Sequence, residues 1–366
     1  MLESGPWSEW SLHLIIVASP ADAIIGKYFL EVETRPEACS SGKNFFYILF
    51  NPWCKADSTF LPGDAHKDEY VLNDCGTLYS KGKTEDVVPS TWQYGQFEED
   101  ILDCCLYILD KSKLVAKERR DPVKITRVLS ALVNKEDDEG VLEGKWELEK
   151  PCGGHTCPWT WEGSVQILND YYKTKKSVKY GQCWVFSGVL TTILRCLGIA
   201  TRSVTAYSAG VDKDGNLKID HHAGEKIWTY HVWNDVWIKR PDLPDGYDGW
   251  QAVDGTNQIT SDGIYCCGPA SLKAIKNGEV NLDYDTRFLF AAVNVEEVDE
   301  NLKCKKIRTR IVTKSLSREK SFEDIIDDYK FPEGSEEGKK ALALAAHLSA
   351  KFPPIQQNVW EGTKKG

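Results

Sequence analysis

In Tyr180-Gly181-Gln182-Cys183-Trp184-Val185-Phe186 a cysteine opens an apolar run that continues to about Cys196, with Gly198 just beyond it. Such a run reads as a helix closed by a glycine, which places Cys183 at the helix N-terminus. The free amides and positive dipole end there favour a thiolate, the reactive form of cysteine. A cysteine taken alone is more often a packing residue, so a base has to come from elsewhere in the chain. Trp228-Thr229-Tyr230-His231-Val232-Trp233-Asn234-Asp235-Val236-Trp237-Ile238 alternates with the period of a strand and puts His231, Trp233 and Trp237 on one side. Further on, Trp250-Gln251-Ala252-Val253-Asp254 reads as a second short strand ending at an aspartate. A buried carboxylate there needs a partner, and an imidazole N–H serves. The aspartate then fixes the histidine tautomer and leaves the other ring nitrogen for a thiol. Cys183, His231 and Asp254 together are a candidate constellation for nucleophilic catalysis by a thiol.

The elements that must hold these residues follow from periodicity and turn signals. Residues 10–80 read as all-β, with strands at 11–17, 26–33 and 45–50 separated by Pro20, Pro36, Gly42, Pro52 and Gly63. The character changes near Val88. Helical spacing is predicted for 97–109, 123–133 and 165–171, and strands dominate between 200 and 315. An alanine-rich helix is expected from Glu336 to Phe352, stopped by Pro353-Pro354.

Composition excludes several classes. The 366 residues carry a net charge of −10 and a pI near 5.4, so nothing supports a nucleic-acid partner. No apolar run approaches the roughly 20 residues of a membrane span, and Leu12 to Ala18 lacks the basic flank of a signal peptide. Twelve cysteines include the adjacent pairs Cys104-Cys105 and Cys266-Cys267, which rarely bridge each other. The pattern suggests reduced thiols, and so a cytosolic protein or one exported without a signal peptide. Cys152, His155 and Cys157 are a minor zinc-site reading without a second downstream pair.

Gly-Gln-Cys-Trp at 181–184, His-Val-Trp-Asn-Asp at 231–235 and Trp-Gln-Ala-Val-Asp at 250–254 closely resemble, in this order, the catalytic core of animal transglutaminases. The likeness extends to Asn51-Pro52-Trp53-Cys54, Tyr94-Gly95-Gln96-Phe97-Glu98, Cys266-Cys267-Gly268-Pro269 and Tyr329-Lys330-Phe331-Pro332-Glu333-Gly334, and runs from about residue 10 to 350. The resemblance implies an α+β fold, a papain-like transglutaminase core preceded by a partial immunoglobulin-like β-sandwich. It divides the chain into 1–87 (sandwich), 88–352 (core) and 353–366 (tail), without the family's two C-terminal β-barrels. It implies Cys183, His231 and Asp254 as a triad that forms a thioester with a protein glutamine, resolved by lysine, a small primary amine or water. Trp146 corresponds to the indole oxyanion donor, beside the Cys183 backbone N–H, and Trp146 with Trp228 to the walls of the substrate tunnel. The oligomeric state is left open.

The same resemblance implies Ca2+. One site maps to Asp212, Asp214, Asn216 and Glu225, around a polar hairpin tip whose alternate oxygen donors open like an EF-hand loop without its closing glutamate. A second maps to Asn134 and Asp138. The third maps to Asn294, Glu296 and Glu333, with Gly338 where the family has a final glutamate and Glu337 near enough to substitute. Two other classes compete with the enzyme reading. One is a catalytically silent, transglutaminase-like scaffold of the membrane skeleton, which loses the nucleophile this chain keeps. The other is a papain-like cysteine hydrolase, which the two tunnel tryptophans disfavour.

Overall fold

The computed structural model describes residues 18–30, 32–33, 38–39, 45–83, 86–147, 151–211, 218–219, 226–256, 259–261, 264–294, 296–298, 304–306, 309–317 and 319–351. Among them the central sheet has six strands, in the order Ala270–Ser271, Gly249–Val253, Lys226–Ile238, Thr201–Val211, Arg310–Thr313, Glu323–Asp324. Every neighbouring pair is antiparallel. Successive side chains of a strand leave on opposite faces, so Val236 and Val253 enter one apolar cluster while Trp233 and Ala252 enter another. The first cluster is completed by helices Ile101–Lys111, Pro122–Leu132, Val165–Thr174 and Cys183–Cys196. The second is completed by Leu272–Asn277, Thr286–Asn294 and Glu336–Ser349. The sheet is thus sandwiched between two helical layers, an α+β arrangement.

Local chemistry sets the element ends. Asp121 caps Pro122–Leu132, its carboxylate accepting the Val123 N–H at 3.0 Å, with proline at the first helical position. The Cys183–Cys196 helix stops at Leu197, and Gly198 follows with φ +88°. A side chain there would place its Cβ 2.2 Å from the Phe50 carbonyl oxygen, so only glycine lets the chain from the N-terminal side cross the helix end.

Two differences from the sequence reading have physical causes. Asp64–Lys67 and Asp68–Leu72 are helical turns inside the stretch read as all-β. Their burial of Lys67, Tyr70 and Val71 has helical spacing, but the segment is too short for a periodic signal. Leu272–Asn277 and Thr286–Asn294 are helices where strands were expected. Phe288 to Val293 is buried on every side, and a short all-apolar run does not reveal its period.

At the N-terminal side, Gly26–Phe29 pairs with Phe45–Ile48 and Val32–Glu33 with Ala38–Cys39, each a two-stranded sheet among the described residues. The strand expected at 11–17 lies outside them. From Phe50 onward the chain is fastened to the core, by Phe50 N–H to Leu197 O, Lys239 N–H to Ser58 O and Trp237 Nε1 to Phe60 O. The antiparallel pair Cys75–Lys83 and Asp86–Gln93 spans the expected boundary at 87/88.

The cysteines give one correction. Cys152 and Cys157 form a disulfide, where reduced thiols were expected. Gly153 and Gly154 both have positive φ and fold the loop tightly enough to bring the two Cα atoms within 5.7 Å, inside bridging range. That removes the zinc reading, and His155 packs edge-on against Tyr180 instead. Cys104, Cys105, Cys266 and Cys267 are buried. No helix among the described residues is long and apolar enough to cross a membrane.

Candidate active site

Cys183 is the first residue of its helix and is buried. The Gln182 carbonyl accepts the N–H groups of Val185 and Phe186, so the helix ladder begins without using the Cys183 amide. His231 lies within the Lys226–Ile238 strand and Asp254 just beyond the end of Gly249–Val253, both buried. The two strands pair antiparallel, with Asn234 opposite Val253, which brings the carboxylate to the ring. His231 Nε2 and Asp254 Oδ2 are 2.6 Å apart. The other carboxylate oxygen accepts the Thr256 N–H at 2.7 Å, so Asp254 is held from both sides. With Nε2 engaged by Asp254, Nδ1 is the nitrogen left for the thiol.

Burial pushes the His231 pKa down, but the Asp254 charge and hydrogen bond, joined by Cys183, outweigh it and raise it to about 10. The ring is therefore an imidazolium at neutral pH, the form that can give a proton to a leaving group. The three residues singled out from the sequence converge on one site.

A polar bolt holds the cysteine helix against the histidine strand. Asn234 Nδ2 donates to Ser187 O and Thr191 Oγ1, and Ser187 Oγ donates to Trp233 O. These residues went unnoticed in the sequence, where serine, threonine and asparagine inside apolar runs look incidental. Gln182 and Thr256 were also missed as holders of the site.

Trp146 and Trp228 meet with ring centroids 5.8 Å apart, and Trp228 stands edge-on to His231 at 4.8 Å. A Cβ on Gly144 would lie 3.2 Å from Trp146 Nε1, so this glycine leaves room for the indole N–H edge. Behind His231 a narrow cavity is lined by Ala209, Gly210, Trp228, Trp233, Phe288 and Ala292, among others. The walls around the ring are aromatic and small aliphatic, a surface suited to an alkyl chain.

The candidate calcium ligands are partly assembled. Asn294, Glu296 and Glu333 line one cleft together with Gly338, and Asn294 Nδ2 donates to Phe290 O, which points its oxygen away from the helix backbone. Glu337, exposed in the first turn of Glu336–Ser349, is outside the residues lining that cleft, and Gly338 stands where it was expected to help. Lys330 reaches into the same cleft, 3.7 Å from Glu333. At the second site Asn134 and Asp138 bound the loop to Gly140. Asp138 Oδ1 is buried with no hydrogen-bond partner, and burial, then the Asp137 charge, raise its carboxyl to about 7. A buried carboxylate oxygen lacking a donor suits a cation. Asp212, Asp214, Asn216 and Glu225 lie outside the described residues. Among the described residues no group of three or more His, Cys, Asp or Glu is preassembled for a metal.

Comparison with known proteins agrees with this geometry. Residues 162–255 match the Transglutaminase-like superfamily. Protein-glutamine gamma-glutamyltransferase K of Oryctolagus cuniculus is 47% identical over 362 residues, covering 92% of this chain and 43% of the relative. The coagulation factor XIII A chain of Homo sapiens is 42% identical over 96% of this chain and 52% of its own length. The crystal structure of red sea bream transglutaminase superposes with a TM-score of 0.79 at 38% identity, covering 89% of this chain and 54% of that one. The chain thus spans about half the length of the relatives it matches. By sequence and by fold, it belongs to the transglutaminase family.

Proposed function

We propose that the chain transfers the acyl group of protein glutamine side chains to lysine or other primary amines, in a calcium-dependent reaction through a thioester on Cys183. The buried Cys183, His231 and Asp254 arrangement, walled by Trp146 and Trp228, carries this reading. The Cys183 thiolate attacks the carboxamide carbon, and the tetrahedral oxyanion is received by the Cys183 N–H and the Trp146 indole N–H. The His231 imidazolium gives its proton to the departing ammonia. The neutral ring then takes a proton from the incoming amine as that amine attacks the thioester. The tryptophan walls accept the alkyl stem of a lysine and exclude bulk water, which favours aminolysis over hydrolysis to glutamate. Asn294, Glu296 and Glu333, and separately Asn134 and Asp138, are the described residues that would hold calcium. When bound, the ion would supply charge neutralisation and order to the loops that carry these acids.

The test is incorporation of a labelled primary amine into casein, with calcium and with excess chelator. Wild type is expected to label casein only with calcium, and Cys183→Ala to give no labelling while keeping its melting temperature within a few degrees. Cys183→Ala activity within a few-fold of wild type would remove Cys183 as nucleophile. A folded wild type that never labels casein would favour the silent scaffold, and glutamate formation without amine uptake the hydrolase.

A further inference from the structure

Gln182 precedes the nucleophile and is itself almost fully buried, yet it neither caps the helix through its side chain nor faces the triad as an acid or base. Its side-chain amide donates instead to the Lys145 carbonyl at 2.7 Å. The Lys145 N–H donates to Gly181 O at 3.0 Å. Both backbone groups of Lys145 are therefore tied to the two residues before Cys183, and the next residue is Trp146. The Gln182 carbonyl takes the Val185 and Phe186 amides and starts the helix ladder, and the Cys183 N–H, first in the helix, has no intrahelical acceptor.

We infer that Gln182 is a positioning residue that fixes the separation between the two oxyanion donors, the Cys183 amide and the Trp146 indole. The inference rests on the reading of Trp146 as a donor. One side chain ties the segment carrying the indole to the start of the helix carrying the amide. The strut is braced from behind, because Tyr180 gives its N–H to Thr156 O in the disulfide-closed loop and receives the Trp161 Nε1 hydrogen on its own carbonyl. With Val178–Gly181 held on that side, loss of the Gln182 amide frees only the Trp146 side of the pair. Donors serve the oxyanion only where it forms, so a displacement of well under 1 Å is costly.

The experiment compares Gln182→Ala and the isosteric Gln182→Glu with wild type in three readouts. In amine incorporation, kcat should fall about 10- to 100-fold for Ala, less than the full loss of a donor, with KM within about twofold. Glu should be at least as damaging, because a carboxylate facing the Lys145 carbonyl repels it while preserving volume. Alkylation of Cys183 by iodoacetamide forms a carbon–sulfur bond at saturated carbon as iodide leaves, with no oxyanion, so its rate should stay within about twofold. In a Trp146→Phe background, Gln182→Ala should change kcat by less than about threefold, because the donor it positions is already gone. Alkylation falling in step with kcat in both variants would make Gln182 a structural support of the nucleophile, and overturn the inference. An undiminished Gln182→Ala effect on top of Trp146→Phe would overturn it too. Wild-type kcat in Trp146→Phe alone would instead sink the reading of Trp146 as a donor, and the inference with it.

Discussion

His231 keeps its proton because Asp254 lies 2.6 Å from Nε2 in a site that water does not reach. The folded pKa, about 10, lies above the ordinary histidine value of 6.5, so the pair stabilises the fold fully below pH 6.5 and loses that contribution as pH rises through 10. Asp254→Asn keeps the size of the side chain and removes its charge, so burial should win and leave a neutral ring at pH 7. Acyl transfer should then fall on the order of 10³–10⁴, the scale of mis-set tautomers in related triads. Iodoacetamide alkylation should slow at neutral pH and recover in alkali, where the thiol ionises unaided. Thermal unfolding from pH 6 to 10 should show a falling melting temperature in wild type and a flatter one in the variant. An alkylation profile identical to wild type would mean that Asp254 does not hold the proton on His231.

Elements place these residues, and one helix end carries a change that can be reversed. Ser335 caps Glu336–Ser349 by accepting the Gly338 N–H at 3.1 Å, with Gly338 in the third helical position. Glycine there costs about 1 kcal/mol against an ordinary helix former, and an acid in the first turn is favoured by the dipole. Gly338→Glu should therefore raise the melting temperature by about 2 °C in chelator. Because Gly338 lines the cleft of Asn294, Glu296 and Glu333, the same change should tighten calcium binding by calorimetry. A stability gain without tighter binding would show that the position serves the helix alone. Element-scale features of this kind were legible where a sequence pattern is long. The Cys183–Cys196 helix and the Lys226–Ile238 strand could be read from periodicity, whereas Thr286–Asn294, apolar on every side, could not. Ligand pairs, the Asn234 bolt and the Gln182 tie are long-range contacts that no local pattern encodes.

At the scale of the whole molecule, the two apolar clusters on opposite faces of the sheet must be joined around its edge. Arg127, on the Pro122–Leu132 helix of the first layer, donates to Asp285 Oδ2 and to Gly268 O, both at 2.9 Å. Asp285 immediately precedes Thr286–Asn294 of the second layer and also accepts the Gly268 N–H at 2.9 Å. Both side chains are almost wholly buried. Burial raises the Asp285 pKa despite the opposing charge of Arg127 and its hydrogen bonds, so desolvation exceeds what the pair returns. Such a pair specifies how the layers dock more than it stabilises them. Asp285 has φ +61°, a conformation that asparagine tolerates, so Asp285→Asn tests the charge without straining the backbone. It leaves Arg127 buried without its countercharge and should destabilise the fold by about 3 kcal/mol in urea unfolding. Arg127→Met combined with Asp285→Asn removes both charges and should recover at least half of that loss. If the double variant were as unstable as the sum of the singles, the cost would lie in lost packing and backbone hydrogen bonds, and the ion pair would not be what joins the two layers.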